Sequence, residues 1–530
     1  MVLLRTLVLL HLLATAYATQ LRARNANLPR PPTVPPVPAP DIAVYHVATG
    51  AVLPPLNTTY YFDQLIDRAN PQLGTFKQRY WHTWEWYEKG GPIILYTPGE
   101  ENAEGMTGFL VNRTINGQIA QQEHGATIVI EHRYYGETNP FSDMSDKNLK
   151  YHTIQQAIDD LEYFAKTVKL AMPGGDSVGP AEAPWVLVGG SYSGALTSWT
   201  MVNKPGLFRA GYATSAVVEA IVGFWEYFEP VRQYMPKNCS ADVEAVIAHV
   251  DTVLKTGSES QIAQLKDNFG VTELTHVDDV GGALRNNLWD WQSLEPSTGP
   301  NATFYQFCDA LEVKNGVSAP SSGWGVDHAL SAWGGFWQDG YLDNLCGGQS
   351  IADCLGTYDP TNPLFTDISV GNDYRSWNWI VCNEVGWFED AAPVGMPTLV
   401  SRLAQPAYDA RACSLFFPDT FPAGSSPVPR VAQTNAAYHG WDVHVDRLFF
   451  ANGKRDPWRG ATVSADAHFV PSTPEQPIAV SDGFHGSDLA TSNALVDPTV
   501  LAVQQQALRA MHGWLQGFEP TKQGYAEEME

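Results

Sequence analysis

Residues Trp185 to Gly194 read W-V-L-V-G-G-S-Y-S-G, an apolar run that breaks into a glycine-serine turn. The run has the composition of a buried strand, and a helical pattern follows the turn. A serine lifted above the end of a parallel strand needs a sharp strand-to-helix turn, and the neighbours two residues away must then be small. Gly189 meets that need on one side and Ser193 on the other. Ser191 is therefore the candidate nucleophile. Strict G-x-S-x-G spacing would put glycine at 193, and the hydroxyl found there makes Ser193 the local rival. Ser193 has Ser191 rather than glycine two residues before it, which argues against the rival.

Working outward, Ile93 to Thr97 (I-I-L-Y-T) and Ala126 to Glu131 (A-T-I-V-I-E) are short apolar runs of the same buried-strand type. Thr153 to Leu170 carries apolar residues at helical spacing, and Ala210 to Thr214 reads as a further strand. Strands alternating with helices imply a parallel sheet with right-handed crossovers. From residue 216 the rhythm changes to helical stretches rich in aromatic residues, without convincing strands, to about residue 430. Arg447 to Ala451 and Ile478 to Val480 then resume the strand pattern. The expected fold class is α/β, with a mainly helical cap inserted between the half carrying Ser191 and the half that follows. Its parts are 41–215 (sheet domain, first part), 216–435 (cap) and 436–530 (sheet domain, second part).

The N-terminus reads differently. Arg5, the apolar run Leu7 to Leu13 and Ala16-Tyr17-Ala18 match a signal peptide cleaved after Ala18, so residues 1–18 are assigned to it. Residues 28–40, L-P-R-P-P-T-V-P-P-V-P-A-P, must be extended, because each proline lacks an N–H and restrains its predecessor. Residues 19–40 are expected to be a propeptide or linker. The apolar run is too short for a membrane helix, and the charged tail at 526–530 is unlike a lipid-anchor signal. A secreted protein is expected, with the lumen of a vacuole or lysosome as the alternative.

Cysteine usage fits that route. The six cysteines form an even set without C-x-x-C metal spacing, so three disulfides are expected, with Cys346–Cys354 and Cys382–Cys413 as nearest-neighbour guesses. Sequons at Asn57, Asn112, Asn238 and Asn301 are candidate glycosylation sites. Fifty-seven acidic against 32 basic residues give a net charge of -25, which opposes binding to nucleic acid and to anionic membranes. The same excess suits an acidic working environment, where protonation relieves self-repulsion. There is no H-E-x-x-H and no G-K-[ST], so neither a metal nor a cofactor is expected.

A serine hydroxyl needs a histidine to take its proton, and the histidine needs a carboxylate to fix its tautomer. When the serine sits on a strand-to-helix turn the chain order is serine, acid, histidine. The strand at 447–451 leads into N-G-K-R-D-P-W, which places Asp456 just past a strand end, and the strand at 478–480 leads into S-D-G-F-H-G-S-D, which places His485 likewise. An aspartate after a turn is more often a structural cap, and Asp446, Asp482 and Asp488 compete with Asp456. His439 and His444 lie before the strand and not after it. The oxyanion would be held by the backbone N–H of Tyr192 and by a donor from the loop P-G-E-E-N after Thr97, at Gly99 or Glu100. No H-G-G-G string occurs there, which counts against a lipase or esterase.

Several strings together resemble the S28 serine peptidases, which include lysosomal Pro-X carboxypeptidase, dipeptidyl peptidase II and fungal acid prolyl endopeptidases. They are Y-T-P-G-E at 96–100, E-H-R-Y-Y-G-E at 131–137, G-G-S-Y-S-G at 189–194, N-G-K-R-D-P-W at 452–458 and G-F-H at 483–485. The resemblance implies an α/β-hydrolase domain under a helical cap and hydrolysis on the carboxyl side of proline. It implies Ser191 as nucleophile, Asp456 as orienting acid and His485 as general base. Ser193 replaces the glycine common in animal members, and the Phe484-His485 setting is closer to the fungal endopeptidases.

A dry aromatic slot can grip a proline ring without hydrogen bonds. Trp377, Trp379, Trp387, Phe388 and Trp458 are candidate walls, and Glu384 is a candidate partner for a substrate amino group. The expected partners are proline-containing peptides or proteins, cut internally in preference to dipeptidyl or carboxypeptidase cutting. The competing readings are a carboxylester hydrolase with the same triad and a catalytically inactive secreted binding protein.

Overall fold

A computed structural model of the chain describes residues 25–425 and 427–520. The expected signal peptide lies outside the described residues. The centre is an eight-stranded sheet of β1 (Tyr60–Leu65), β2 (Thr75–Thr83), β3 (Ile93–Thr97), β4 (Ala126–Ile130), β5 (Trp185–Gly190), β6 (Ala210–Thr214), β7 (Leu448–Gly453) and β8 (Ile478–Ser481). The spatial order is β1-β2-β4-β3-β5-β6-β7-β8. From β4 to β8 all neighbours are parallel. β1 and β2 form an antiparallel edge, and β2 is antiparallel to β4.

Every residue of β3, β4, β5, β6 and β7 is buried, as both-face coverage of parallel strands requires. That is why these strands read as continuous apolar runs. β1 and β2 were not among the expected strands. β2 reads T-F-K-Q-R-Y-W-H-T, yet its Arg79 is buried because Glu131 receives it in two hydrogen bonds, of 3.0 and 2.6 Å. The helix expected over 153–170 runs from Ile154 to Thr167, started by Thr153, whose hydroxyl accepts the Gln156 N–H at 3.1 Å. Its Phe164 lies against Phe62 and Tyr80 of the sheet edge.

Between β6 and β7 the chain is mainly helical, and its longest helix is Lys237–Thr256. Short strands do occur there: Ile221–Gly223 pairs with Gly386–Phe388, and Val313–Lys314 with Val317–Ser318. Two or three residues are too few to show an alternation in sequence. Cys346–Cys354 and Cys382–Cys413 are joined as expected, and Cys239–Cys308 completes the set. Among the described residues no helix is long and apolar enough to cross a membrane. The parallel sheet with its serine turn after β5 and its helical insertion after β6 is the α/β-hydrolase fold.

Candidate active site

Ser191 stands between β5 and the helix Tyr192–Asn203 with φ 61° and ψ −124°. A non-glycine residue held there costs of order 1–3 kcal/mol and persists only where its surroundings fix it. Here the Ser191 N–H donates to the Thr214 carbonyl at the end of β6, and the Ser191 carbonyl accepts the Ala195 N–H, both at 2.9 Å. Gly189 is glycine because a Cβ would stand 2.1 Å from the Ser193 carbonyl oxygen. Ser193 turns its hydroxyl toward the loop after β3, where a Cβ on Gly99 would approach it to 2.4 Å. The rival hydroxyl is thus packed under the loop that follows β3.

Asp456 and His485 meet as the chain order predicts. His485 Nδ1 lies 2.8 Å from Asp456 Oδ1, and both side chains are fully buried. The same Oδ1 accepts the Trp458 N–H at 2.8 Å, so the carboxylate also starts the short helix Pro457–Ala461. The two loops are laced together by backbone, with the N–H groups of Lys454 and Arg455 donating to Ser481 and Gly483. Ser215, which the sequence did not single out, adds to this link: its Oγ accepts the Gly486 N–H at 2.9 Å. Burial alone would depress the His485 imidazole, but the Asp456 charge and hydrogen bond, together with the Pro32 carbonyl, hold it above its ordinary range.

The competing residues are engaged elsewhere. Asp488 accepts the hydroxyls of Tyr212 and Thr214, Asp482 pairs with Lys454 at the surface, and Asp446, His439 and His444 are exposed.

Tyr192 is the first residue of its helix, so its N–H is one of the four without an intrahelical partner. Gly99 faces it across Ser193. The Glu100 side chain is buried, and neither carboxyl oxygen has a hydrogen bond among the described residues. Burial pushes its carboxyl up to about 8, against the opposing pull of its own backbone N–H dipole and of His485. Below that pH it is a neutral acid beside the triad.

Four of the expected walls come together. Trp377, Trp387, Phe388 and Trp458 line one narrow slot with about 10 Å³ of free space. Trp377 stacks on Trp387 at 5.9 Å and meets the Tyr192 ring edge-on at 5.7 Å, and Trp387 meets Trp458 at 5.9 Å. Trp458 is fixed by Gln292, whose Oε1 accepts the indole N–H at 2.8 Å. Trp379 is not a wall, because it packs on Phe417 and donates to the His152 carbonyl. Glu384 is also spoken for. Its Oε2 accepts the Ile154 N–H at 3.0 Å, where the positive end of a helix favours an acid. A larger cavity of about 870 Å³ opens between the cap and Ser145 and Asp146, and none of Ser191, Asp456 and His485 lines it.

The slot has one more wall, which sequence reasoning missed: Leu28, Pro29 and Arg30 of the proline-rich segment. Further along, the Pro32 carbonyl lies 3.0 Å from His485 Nε2. Nothing local in a proline-rich string marks such a contact, made across 453 residues of chain. Of the sequon asparagines, Asn57, Asn112 and Asn301 are exposed and Asn238 is half-buried beside Cys239.

A family profile described as Serine carboxypeptidase S28 matches residues 64–508. "Serine protease vicPa" of Bipolaris victoriae (strain FI3) is 35% identical over 486 residues, covering 87% of this chain and 89% of the relative. "Probable extracellular serine carboxypeptidase" of Arthroderma benhamiae (strain ATCC MYA-4681 / CBS 112371) is 30% identical over 83% of this chain and 64% of its own length. The human "Lysosomal Pro-X carboxypeptidase" is 25% identical over 86% and 88%.

Proposed function

The chain belongs to the serine carboxypeptidase S28 family and is a serine-type peptidase, and from that premise we propose that it cuts on the carboxyl side of proline with Ser191 as nucleophile. His485 takes the Ser191 proton as Oγ attacks the carbonyl carbon, and Asp456 holds the imidazole in the needed tautomer. The N–H groups of Tyr192 and of Gly99 or Glu100 receive the developing oxyanion. His485 then returns the proton to the leaving amine, and water releases the acyl group by the same path in reverse.

The observation that carries the reading is the tryptophan slot beside the Asp456–His485 pair, already walled on one side by a proline, Pro29. The place that Pro29 fills against the tryptophans suits a substrate's rigid apolar ring, which needs no hydrogen bonds there, once Leu28 and Pro29 withdraw. Internal cutting is favoured because the cleft takes extended chain on both sides of His485: residues 28–31 lie in the cap, and residues 34–38 run on past Gly190 toward Gly108 and Arg113. Glu384, tied to Ile154, does not offer itself to a substrate amino group.

Three disulfides and an extracellular relative support secretion. An acid working range is supported by the buried acids and not by His485, whose raised basicity asks for a higher pH. The test uses matched chromogenic peptides, blocked or free at the N-terminus and ending in Pro or Ala, across pH 4 to 8, with Ser191→Ala alongside. Turnover confined to proline and lost in the variant is expected, with the blocked form accepted. Equal turnover of Pro and Ala, or of a simple ester alone, would refute the proline reading.

A further inference from the structure

Residues 25–40 form no helix or strand and run through the cleft between cap and sheet. Three contacts put them where a peptide substrate would lie. The Pro32 carbonyl is bound to His485 Nε2, the one ring nitrogen left after Nδ1 meets Asp456. While it is there, the imidazole has no free atom with which to take a proton from Ser191. Ser191 Oγ accordingly has no hydrogen-bond partner among the described residues. Val34 wedges against both catalytic turns, since a Cβ on Gly190 would meet its Cγ1 at 2.8 Å and one on Gly486 at 3.0 Å. Leu28 and Pro29 close the tryptophan slot. The Pro32 carbonyl takes its hydrogen bond from the imidazole and not from the N–H groups of Tyr192, Gly99 or Glu100, so the segment's own peptide bond is not polarised for attack.

Charge anchors the segment. Arg30 Nη1 lies 3.4 Å from Asp290 Oδ1, Nη2 donates to Asn286 Oδ1 at 3.2 Å, and the guanidinium lies 5.9 Å from the Trp289 ring centroid. Asp290 is held in place by the Tyr341 hydroxyl at 2.9 Å. Beside Arg30 a cavity of about 300 Å³ opens, lined in part by Asp290, Thr303, Tyr341 and Tyr374. A mostly buried carboxylate of this kind is costly unless a cation sits against it. With the segment gone, Asp290 would face the cleft unpaired.

We infer that residues 25–40 are a built-in competitive inhibitor, and that Asp290, Asn286 and Trp289, which hold its Arg30, form a subsite for the basic side chain of a peptide substrate. The inference rests on the peptidase reading of the same cleft. The peptidase is then latent until the segment leaves, and the chain is exposed immediately after it, at Asp41, Ile42 and Ala43, where an activating endoproteolytic cut has access.

A recognition sequence for a site-specific protease is placed between Asp41 and Ile42, and the full chain is compared before and after cutting and desalting. The readouts are peptide turnover and the rate at which a fluorophosphonate labels Ser191. A full-length Val34→Arg variant, too large and too charged for its place against Gly190 and Gly486, expels the segment without a cut. Each treatment is expected to raise both rates by about tenfold or more. A synthetic peptide of residues 25–40 should restore inhibition in competition with substrate. Its R30Q form should bind about tenfold more weakly to the wild-type enzyme, and no more weakly than the parent peptide to Asp290→Asn. Rates unchanged by both treatments would overturn the inhibitor. An R30Q penalty absent in wild type, or undiminished in Asp290→Asn, would overturn the basic subsite. Failure of every form to label at Ser191 would overturn the serine nucleophile itself, and both claims with it.

Discussion

Between β3 and β7 the sheet is held by a parallel ladder of buried strands, whereas in the cap the elements are joined by all three disulfides and by side chains that meet across long stretches of sequence. A ladder fixes backbone atoms, and the loops that carry Ser191, Asp456 and His485 leave it directly at the ends of β5, β7 and β8. Those loops inherit its rigidity. Cap helices have no such ladder, and their relative positions depend on contacts such as Trp377 on Trp387 and Trp458 on Gln292. On the proposed reading, chemistry sits on the ladder-fixed part of the fold, and recognition on the part that can be altered without dismantling it.

Removing chemistry while leaving both regions intact should give the largest effect. In the activated form, Ser191→Ala is expected to lower peptide turnover by about 10⁶-fold, with the thermal midpoint in calorimetry unchanged or raised. The turn strain that Ser191 bears is no reason for a loss of stability. Asp456→Asn should cost about 10⁴-fold by leaving His485 in the wrong tautomer, measured as kcat/KM on the same peptide.

Loosening the cap alone sharpens the comparison. Cys239 and Cys308 are separated by 69 residues and Cys346 and Cys354 by 8. On the loop-entropy model, replacing the first pair by serine should cost about 4 kcal/mol and the second about 2.5 kcal/mol. Denaturant titrations should return that order. If fluorophosphonate labelling of Ser191 in the native state stays near wild type in both, the sheet holds its triad without help from the cap; a large drop would break the distinction.

Trp377→Ala opens the slot from the cap side. The preference for proline over alanine substrates is expected to fall about tenfold, read as a ratio of kcat/KM values, while Ser191 labelling falls less.

The smallest effect is in pH. Burial raises the Glu100 carboxyl to about 8 and those of Asp390 and Glu384 to about 7. In the unfolded chain these groups titrate near 4. The folded state therefore binds more protons than the unfolded one between about pH 4 and 8, so stability is fully present below that window and declines as pH rises through it. Thermal midpoints at pH 5 should exceed those at pH 8, and the reverse order would show that these acids do not govern stability.

The parts of the site that were legible in sequence are those where one strand ends and one loop begins. Ser191, Asp456 and His485 each follow an apolar run, and their order along the chain was enough to pair Asp456 with His485. β1 and β2 were not legible, because the buried Arg79 makes β2 look polar until Glu131 is seen across the sheet. The helix end at Ile154 that Glu384 serves was not legible either, since a lone acid in a cap sequence gives no sign of it.

By itself, then, the sequence determined the alternation of buried strands and helices, the place of the insertion and the strand ends that carry Ser191, Asp456 and His485. These are local matters: apolar period, turn chemistry and chain order act within a dozen residues. The tertiary structure alone decided that Trp379 is core while Trp377 and Trp387 line the slot, and that Pro32 reaches His485. Such contacts join residues hundreds of positions apart, and only the packing of cap on sheet brings them within the few ångströms over which a hydrogen bond or a ring contact acts.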